Sequence, residues 1–296
     1  MKDLIRLTDL SRDDIQEIFE TADHLCIEKS NLLGGKSIVL FFPAASIRTR
    51  MTFEKGIADL GGQSVLFPTE ALDKKEDLKD VCGYLENWAD AIIVRHRDIG
   101  KIDEMAGNLS IPVINAMTDD NHPCEILSDL YALSKCRKDM SKDRYLFCGA
   151  CGNIGFAWKE ASRVLGFELT QCCPAGYEMS GVTVSHSLQE AIKGEDIICT
   201  DSVSPQELAD FRDYQITSEV MREANPGALL NPCPPFYRGE EVSAEVIESD
   251  YFVGYEFKKH LLEIQQAVLL HCLTFCGCKK QTKGGEDTSK NTNACI

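Results

Sequence analysis

The sequence lacks three features that would place it in a specialised class of protein. No apolar run approaches the length of a membrane span, and the opening MKDLIRLTDLSRDD has neither the apolar core nor the cleavage site of a secretory signal. Positive charge is also scarce, since 31 Lys and Arg stand against 47 Asp and Glu and give a net charge of −16. Such an acidic chain disfavours nucleic acid and anionic membrane surfaces as partners. We therefore expect a cytoplasmic protein that begins at Met1 and binds neither.

The sequence also lacks the cysteine spacing of a secreted disulfide scaffold, although it contains 14 cysteines. Many lie inside apolar segments, which predicts reduced, buried thiols at Cys82, Cys148, Cys172, Cys199 and Cys272. Two short spacings, Cys148-Gly-Ala-Cys151 and Cys276-Gly-Cys278, are compatible with metal or redox chemistry, but neither has a second Cys or His pair at zinc spacing. We predict no metal site and no cofactor.

What the sequence does contain is the composition of a globular protein. Its 296 residues, 44% hydrophobic and 26% charged, are enough for two domains that share a cleft. Short apolar runs alternate with amphipathic helices, and the predicted strands are Ser37–Phe42, Ser64–Phe67, Ala91–Val94, Pro112–Asn115, Tyr145–Cys148, Glu168–Cys172, Asp196–Thr200, Ala228–Asn231 and Tyr251–Tyr255. This alternation predicts an α/β fold of two domains, each a parallel β-sheet flanked by helices, joined by interdomain helices.

The polar run Arg137–Arg144 separates two repeats of this pattern and predicts the joint between the domains. A long final helix, roughly Lys258–Cys276, is expected to cross back onto the first domain. We therefore expect residues 1–136 with 258–276 to form one domain and residues 137–257 to form the other. Residues 277–296 lack apolar periodicity and are predicted to be disordered.

The stretch Phe41–Gly61, FFPAASIRTRMTFEKGIADLG, carries an unusual density of anion-binding groups. It joins a buried strand to an amphipathic helix, so its turn directs the first free N–H groups of that helix beyond the strand's carboxyl edge. Ser46 and Thr49 supply hydroxyl groups there, and Arg48 and Arg50 supply guanidinium groups. In an acidic chain, this local concentration of cations predicts a small anionic ligand such as a phosphate.

Further polar residues follow other predicted strands of the first domain. Arg95 directly follows the strand Ala91–Val94, and His122 precedes a predicted helix. Because parallel strands gather their carboxyl ends at one edge of the sheet, Ser46, Arg48, Arg95 and His122 should converge although they are far apart in sequence.

Three stretches resemble one family, the aspartate/ornithine carbamoyltransferases, and the resemblance covers nearly all of the chain. Ser46–Arg50, SIRTR, is similar to the family's S-T-R-T-R carbamoyl-phosphate loop, with Ile47 in place of the first Thr. His122–Asp129, HPCEILSD, resembles H-P-x-Q-x-L-x-D, with Glu125 in place of Gln. Asn231–Pro235, followed by R-G-E-E-V, is similar to the H-C-L-P…R-G-E-E-V segment of the ornithine branch. The three matches occur in the right order, each at a predicted strand end.

The resemblance implies transfer of the carbamoyl group from carbamoyl phosphate to an amine, with citrulline and phosphate as products if the amine is ornithine. It implies catalytic roles for Arg48, Arg95, His122 and Cys233, and carbamoyl-phosphate binding by Ser46, Ile47, Arg48, Thr49, Lys75, Arg95, His122, Glu125 and Pro234. Lys75 lies in the loop Ala71–Glu76, which resembles a mobile loop that in the family reaches into a neighbouring subunit's site. The resemblance therefore also implies a homotrimer.

For the acceptor, the resemblance implies binding by Asn153, Asp201, Ser204, Cys233 and Pro234. The aspartate branch has an arginine at the positions of Gly155 and Asp201, so a carboxylate here favours a diamine or diamino acid over aspartate. The ornithine branch, however, continues D-x-x-x-S-M-G, whereas this chain continues Asp201-Ser-Val-Ser204-Pro205. Ornithine, putrescine, another diamine and aspartate therefore stay open as acceptors.

Two departures from the family pattern bear on the donor. An ionised Glu125 can only accept hydrogen bonds, and it places a negative charge near a dianionic phosphate. Either the pKa of Glu125 is raised or the donor is held differently. In addition, Lys258–Leu261, KKHL, stands where the ornithine branch has E-N-R-L, and the arginine of that motif has no clear counterpart.

Two other classes of protein remain as alternatives. Gly149-x-x-Gly152-x-x-Gly155 after a strand is a loose dinucleotide fingerprint, which would indicate an NAD-dependent oxidoreductase. That fingerprint requires an acidic residue at the end of the next strand, where this chain has Cys172-Cys173-Pro174. The changes at Ile47 and Glu125 also leave open a non-catalytic paralogue that keeps the fold for assembly or regulation.

Overall fold

The computed structural model describes residues 3–27 and 30–274, which form two parallel β-sheets with helices on their faces. This confirms the α/β architecture expected from the sequence. The predicted disordered tail and the Cys276–Cys278 pair lie outside the described residues. Within the described ranges, no helix is both long and apolar enough to cross a membrane.

The first sheet has the strand order β2-β1-β3-β4, and every neighbouring pair is parallel. Its strands are β1 (Ser37–Phe41), β2 (Gln63–Phe67), β3 (Ala91–Arg95) and β4 (Val113–Met117). The helices of this unit are α1 (Arg12–Ile27), α2 (Arg48–Asp59), α3 (Leu78–Leu85), α4 (Ile99–Asn108) and α5 (Pro123–Cys136). Strands β1, β3 and β4 are almost wholly buried because helices cover both faces of the sheet, whereas β2 is an exposed edge strand.

The second sheet has the order β7-β6-β5-β8-β9 and is also parallel throughout. Its strands are β5 (Arg144–Cys148), β6 (Glu168–Cys172), β7 (Thr183–Ser185), β8 (Ile197–Thr200) and β9 (Leu229–Pro232). Its helices are α6 (Asn153–Leu165), α7 (Leu188–Ala191), α8 (Ser218–Arg222), α9 (Ala244–Ile247) and α10 (Gly254–Lys258). The last helix, α11 (Leu261–Thr274), packs against α1, α2 and α5 of the first unit.

Each sheet contains one point where the strand order reverses, between β1 and β3 in the first and between β5 and β8 in the second. Ligands of open α/β sheets bind in the crevice beyond the carboxyl ends of the strands at such a point. The turn after β1 carries Ser46 and β3 ends at Arg95, while β5 leads to Asn153 and β8 to Asp201. These four predicted residues therefore lie at the two switch points, whereas His122 follows β4 and Cys233 follows β9.

One predicted strand, Tyr251–Tyr255, is wrong. Phe252 forms only an isolated bridge with Leu230 of β9, and Gly254 begins α10. A Cβ atom at position 254 would lie 2.7 Å from the Phe252 ring, so glycine lets that ring lie against the turn. The aromatic and β-branched residues of this segment suit a strand, but the chain turns into a helix after one bridge.

The burial predicted for five cysteines is confirmed. Cys82, Cys148, Cys172 and Cys199 are buried free thiols, and Cys272 is buried. Cys26, Cys136 and Cys151, in contrast, are exposed. In the Cys148-x-x-Cys151 spacing, the Cys148 thiol donates to the Tyr214 carbonyl oxygen at 3.3 Å. The two sulfur atoms of that spacing are therefore in different environments.

Candidate active site

A cleft of about 600 Å³ opens where residues of the two units face each other at their switch points. Its lining brings together most of the residues predicted from the sequence, namely Ile47, Arg48, Thr49, Arg95, His122, Glu125, Asn153, Asp201, Cys233 and Pro234. Met51, Ile154 and Leu261 add apolar surface. The residues predicted for the donor lie on the first unit except Pro234, and those predicted for the acceptor lie on the second.

The turn between β1 and α2 presents unpaired backbone donors to the cleft. Ile47 occupies the N-cap position of α2 but provides no side-chain cap, and its side chain is 76% exposed. The first N–H groups of α2 are therefore available to an anion. Ser46 is buried, and its hydroxyl oxygen accepts a hydrogen bond from Arg95 Nη1 at 3.0 Å. That bond joins the turn to the end of β3.

Two guanidinium groups, those of Arg48 and Arg95, face the same part of the cleft. Burial and then the positive charge of Arg48 lower the pKa of Arg95. Within the described residues, neither arginine has a carboxylate at ion-pair distance, whereas Arg50 pairs with Glu54 at 3.0 Å on the helix surface. Two neighbouring cations without an anionic partner form a site that suits a phosphate.

His122 is a neutral imidazole in this cleft. It occupies the N-cap position of α5, and burial lowers its pKa to about 4 despite the nearby Glu125 carboxylate. Its Nε2 atom lies 3.9 Å from Glu125 Oε2, and its buried Nδ1 atom has no hydrogen-bond partner among the described residues. A neutral imidazole of this kind can donate one hydrogen bond to a carbonyl oxygen without adding charge.

Lys258, the last residue of α10, is a cleft residue that we did not predict from the sequence. Its ammonium group lies 2.7 Å from Glu125 Oε1 and 2.6 Å from Asp129 Oδ1. Burial tends to raise the pKa of Glu125, but Lys258 and then His122 outweigh burial, so the pKa is lowered. Of the two alternatives left open for Glu125, a raised pKa is therefore ruled out, because that carboxylate has its own buried cation. The only signal in the sequence was a lysine at a position where the resembled branch has a glutamate.

Asp201 places a carboxylate on the second unit's side of the cleft, directly after β8. The residue is half-buried, and its Oδ1 atom accepts a hydrogen bond from the Ser202 N–H at 2.9 Å. Loss of hydration, reinforced by the Glu125 charge, raises the pKa of Asp201 to about 6. Nearby, the Asn153 side-chain amide donates to the Thr118 carbonyl oxygen at 2.7 Å. This hydrogen bond connects the start of α6 to the loop after β4.

Three predicted residues, Ser46, Ser204 and Lys75, are not among the residues that line the cleft of this chain. The Ser204 hydroxyl donates to Glu207 Oε2 at 2.6 Å, which turns it toward its own loop. Lys75 is exposed just after the 3₁₀ turn Thr69–Asp73. Cys233, in contrast, does line the cleft, and burial together with nearby carboxylates raises the pKa of its thiol well above the usual value. A neutral thiol is a weak nucleophile, so Cys233 is suited to packing and hydrogen bonding.

Fold and cleft together define a class of protein, a transferase with two substrate half-sites. Two parallel α/β units meet at one cleft, with unpaired arginines on the first and a carboxylate on the second. Residues 2–135 match the model of the aspartate/ornithine carbamoyltransferase carbamoyl-phosphate-binding domain, and residues 142–272 match that of the Asp/Orn-binding domain of the same family. The chain belongs to the aspartate/ornithine carbamoyltransferase family.

Its relatives and structural neighbours carry the name of one branch of that family. The chain is 30% identical to an ornithine carbamoyltransferase of Chromobacterium violaceum over 91% of this chain and 96% of that protein. It is 31% identical to the ornithine carbamoyltransferase of Desulfotalea psychrophila, over 90% of this chain and 97% of the other. The structure of ornithine carbamoyltransferase from Pyrococcus furiosus matches with a TM-score of 0.88 at 28% identity, over 94% of this chain and 98% of that one.

Proposed function

We propose that this carbamoyltransferase uses an amine acceptor with a second cationic group, and that ornithine is its acceptor. The observation that carries the proposal is the position of Asp201, a carboxylate across the cleft from Arg48 and Arg95. The relatives named ornithine carbamoyltransferase support the same choice. The products are then citrulline and phosphate.

The reaction needs a site that stabilises anions rather than a covalent nucleophile. The neutral amine of the acceptor attacks the carbonyl carbon, the bond from that carbon to the phosphate oxygen breaks, and the amine loses a proton. In our proposal, Ser46, Thr49 and the first N–H groups of α2 bind the phosphate. Arg48 and Arg95 stabilise the phosphate and the developing charge on the carbonyl oxygen, to which neutral His122 also donates.

The two half-sites correspond to the two units of the fold. We assign carbamoyl phosphate to residues 1–136 with 258–276, and the acceptor to residues 137–257. The unpaired arginines of the first unit and the carboxylate of the second support this division. Asn153, beside Asp201, is placed to orient the acceptor.

A diamine without a carboxylate, such as putrescine, is the second candidate acceptor. In the described part of the cleft, Lys258 is already paired with two carboxylates, and we assign the cations of Arg48 and Arg95 to the donor. An α-carboxylate on the acceptor would therefore have to bind neutral donors such as Ser202. Release of phosphate from carbamoyl phosphate, measured with ornithine, putrescine, other diamines and aspartate, tests the choice. Aspartate as the best acceptor would contradict the role of Asp201, and release with none of them would indicate a non-catalytic paralogue.

The acceptor site should depend on pH in a defined direction. Because the pKa of Asp201 is raised to about 6, its negative charge is present above that pH and is lost as the pH falls through it. We expect KM for the acceptor to rise roughly tenfold per pH unit below about 6, measured at saturating carbamoyl phosphate. The matched control is Asp201→Asn, in which the acceptor KM should not change over this range. An equal rise in both proteins would assign the titration to another group, such as Asp129, whose pKa is also raised to about 6.

We further propose that the enzyme is a homotrimer whose sites are completed by Lys75 of a neighbouring subunit. Lys74 and Lys75 are exposed and lie outside the cleft of their own chain, so they could supply cations to an adjacent one. Mixed subunits provide the test, because Lys74→Ala/Lys75→Ala chains combined with Arg48→Ala chains should regain activity at sites with both parts intact. A fully active monomer by light scattering, or no recovery in the mixture, would rule this arrangement out.

We also propose that the enzyme works in the cytoplasm. Cys148 and Cys172 are register partners in the adjacent strands β5 and β6, yet both are free thiols. Neighbouring thiols of this kind persist in reducing compartments. Cell fractionation with detection of the protein tests the location.

A further inference from the structure

The buried charges at the base of the cleft form a cluster that joins helices α5 and α10. Glu125 and Asp129 lie one helical turn apart on the same face of α5, and Lys258 reaches them from the end of α10. All three are largely removed from water, since Glu125 is 4% and Asp129 1% exposed, and the Lys258 side chain is 16% exposed. The cluster therefore depends on the packing of α10 against α5.

Lys258 is shared between the two carboxylates, whose pKa values are nevertheless shifted in opposite directions. Burial alone would lower the pKa of Lys258, but Asp129 and Glu125 outweigh burial and raise it, so the ammonium stays charged. For Asp129, burial prevails over Lys258 and raises the pKa to about 6. Glu125 therefore stays ionised to lower pH than Asp129, with one oxygen bound to the ammonium.

The other oxygen of Glu125 lies beside His122, a second residue of the cleft lining. Glu125 Oε1 binds Lys258, whereas Oε2 lies on the side of His122 Nε2 at 3.9 Å, in the lining of the cleft. A carboxylate oxygen at this place can accept a hydrogen bond from an amide NH2 group, such as that of carbamoyl phosphate. Without Lys258, the carboxylate would be free to rotate and to take up a proton, and it would then present a donor to that NH2 group.

We propose that Lys258 is the positioning residue of the donor site, which holds the Glu125 carboxylate so that its Oε2 atom accepts a hydrogen bond from the carbamoyl NH2 group. This rests on the proposed function, in which carbamoyl phosphate is the donor. The cation also offsets part of the negative charge that Glu125 brings near the phosphate, because the ammonium lies 2.7 Å from the Glu125 carboxylate. Glu125 and Lys258 thus act together, and the effect of changing one on the binding of carbamoyl phosphate depends on the other.

A double-mutant cycle tests this dependence. In Lys258→Met, KM for carbamoyl phosphate should rise about tenfold or more, as for a lost hydrogen bond to a charged group, while KM for the acceptor changes less than about twofold. In a Glu125→Gln background, the further change Lys258→Met should alter KM for carbamoyl phosphate less than about twofold, because the group through which Lys258 acts is gone. Lys258→Arg should retain most of the affinity.

Lys259→Met is the matched control, because Lys259 is an exposed neighbour whose ammonium pairs with Glu256 on the surface. It should leave both KM values unchanged. If Lys258→Met does not fold, as judged by thermal unfolding, the cycle is repeated in an Asp129→Asn background. In that background the loss of Lys258 leaves only one buried carboxylate, that of Glu125, without its cation.

Equal effects of Lys258→Met in the wild-type protein and in the Glu125→Gln background, or an equal rise in both KM values, would overturn the positioning role while leaving the carbamoyltransferase activity standing. A wild-type protein that releases no phosphate from carbamoyl phosphate with any acceptor would instead overturn the proposed function, and the role of Lys258 with it.

Discussion

Arg48→Ala should lower kcat/KM for carbamoyl transfer by about 100-fold or more, the cost of removing a strong donor to a developing oxyanion. Arg48 lines the cleft at the start of α2, and its charge acts on Arg95. Within the described residues no carboxylate pairs with it, so its full charge is available to the substrate. Most of the loss should appear in kcat, because charge on the carbonyl oxygen and on the leaving phosphate grows only in the transition state.

The control for this variant lies two residues along the same helix. Arg50 binds Glu54 at 3.0 Å and does not line the cleft, so Arg50→Ala removes the same chemical group from the same helix without touching the substrate. Initial rates of phosphate release, measured over a range of both substrates, separate the two KM values from kcat. Near-wild-type turnover in Arg48→Ala, or an equal loss in Arg50→Ala, would contradict the assignment.

The sequence predicted the site best for polar residues that come directly after a predicted strand. Buried parallel strands are short, nearly continuous apolar runs, and their carboxyl ends must meet at one edge of the sheet. That rule alone predicted that Ser46, Arg48, Arg95 and His122 converge, and the cleft contains Arg48, Arg95 and His122 with Ser46 bonded to Arg95. The rule needs no knowledge of how the two units are oriented.

The relation between Glu125 and Lys258 could not be predicted in this way. The two residues are far apart in sequence, and no local periodicity relates the first turn of α5 to the end of α10. Their contact depends on how α10 packs against α5, which is a property of the assembled fold. For that reason a raised pKa of Glu125 stayed open as an alternative, since the sequence shows the charge of Glu125 but not the cation that compensates it.

The sequence also failed to predict two elements, one because it contains glycine and one because it is short. We did not predict α4 because its segment contains two glycines, although Asp98 caps the helix by accepting a hydrogen bond from the Gly100 N–H, and Ile99, Ile102 and Met105 follow helical spacing. Strand β7 has only three residues, too few for alternation to be recognised. Neither element contributes to the cleft, so the site could be predicted without them.

The choice of acceptor should depend most on Asp201, and aspartate should be a poor substrate. The acidic side chain of an aspartate substrate would be repelled by the carboxylate of Asp201. At Gly155, no cation can be supplied, because even a Cβ atom would lie 2.8 Å from the Met179 sulfur and from the Phe147 ring. An amine with a second, cationic group would instead be bound by Asp201 while its neutral amine attacks. Since that amine must first lose its proton, the rate should rise with pH through the neutral range.

Asp201→Asn should raise KM for the acceptor roughly 10- to 100-fold, the range for a hydrogen bond that loses its charge, and should change KM for carbamoyl phosphate less than about twofold. KM for the acceptor and KM for carbamoyl phosphate should respond differently because Asp201 lies after β8 on the second unit. Arg48 and Arg95, which we assign to the donor, lie on the first. The control is Asp213→Asn, which removes an exposed carboxylate of the same unit that does not line the cleft. An unchanged acceptor KM combined with weakened binding of carbamoyl phosphate would mean that Asp201 belongs to the donor half-site, because its charge would then act on the phosphate rather than on the amine.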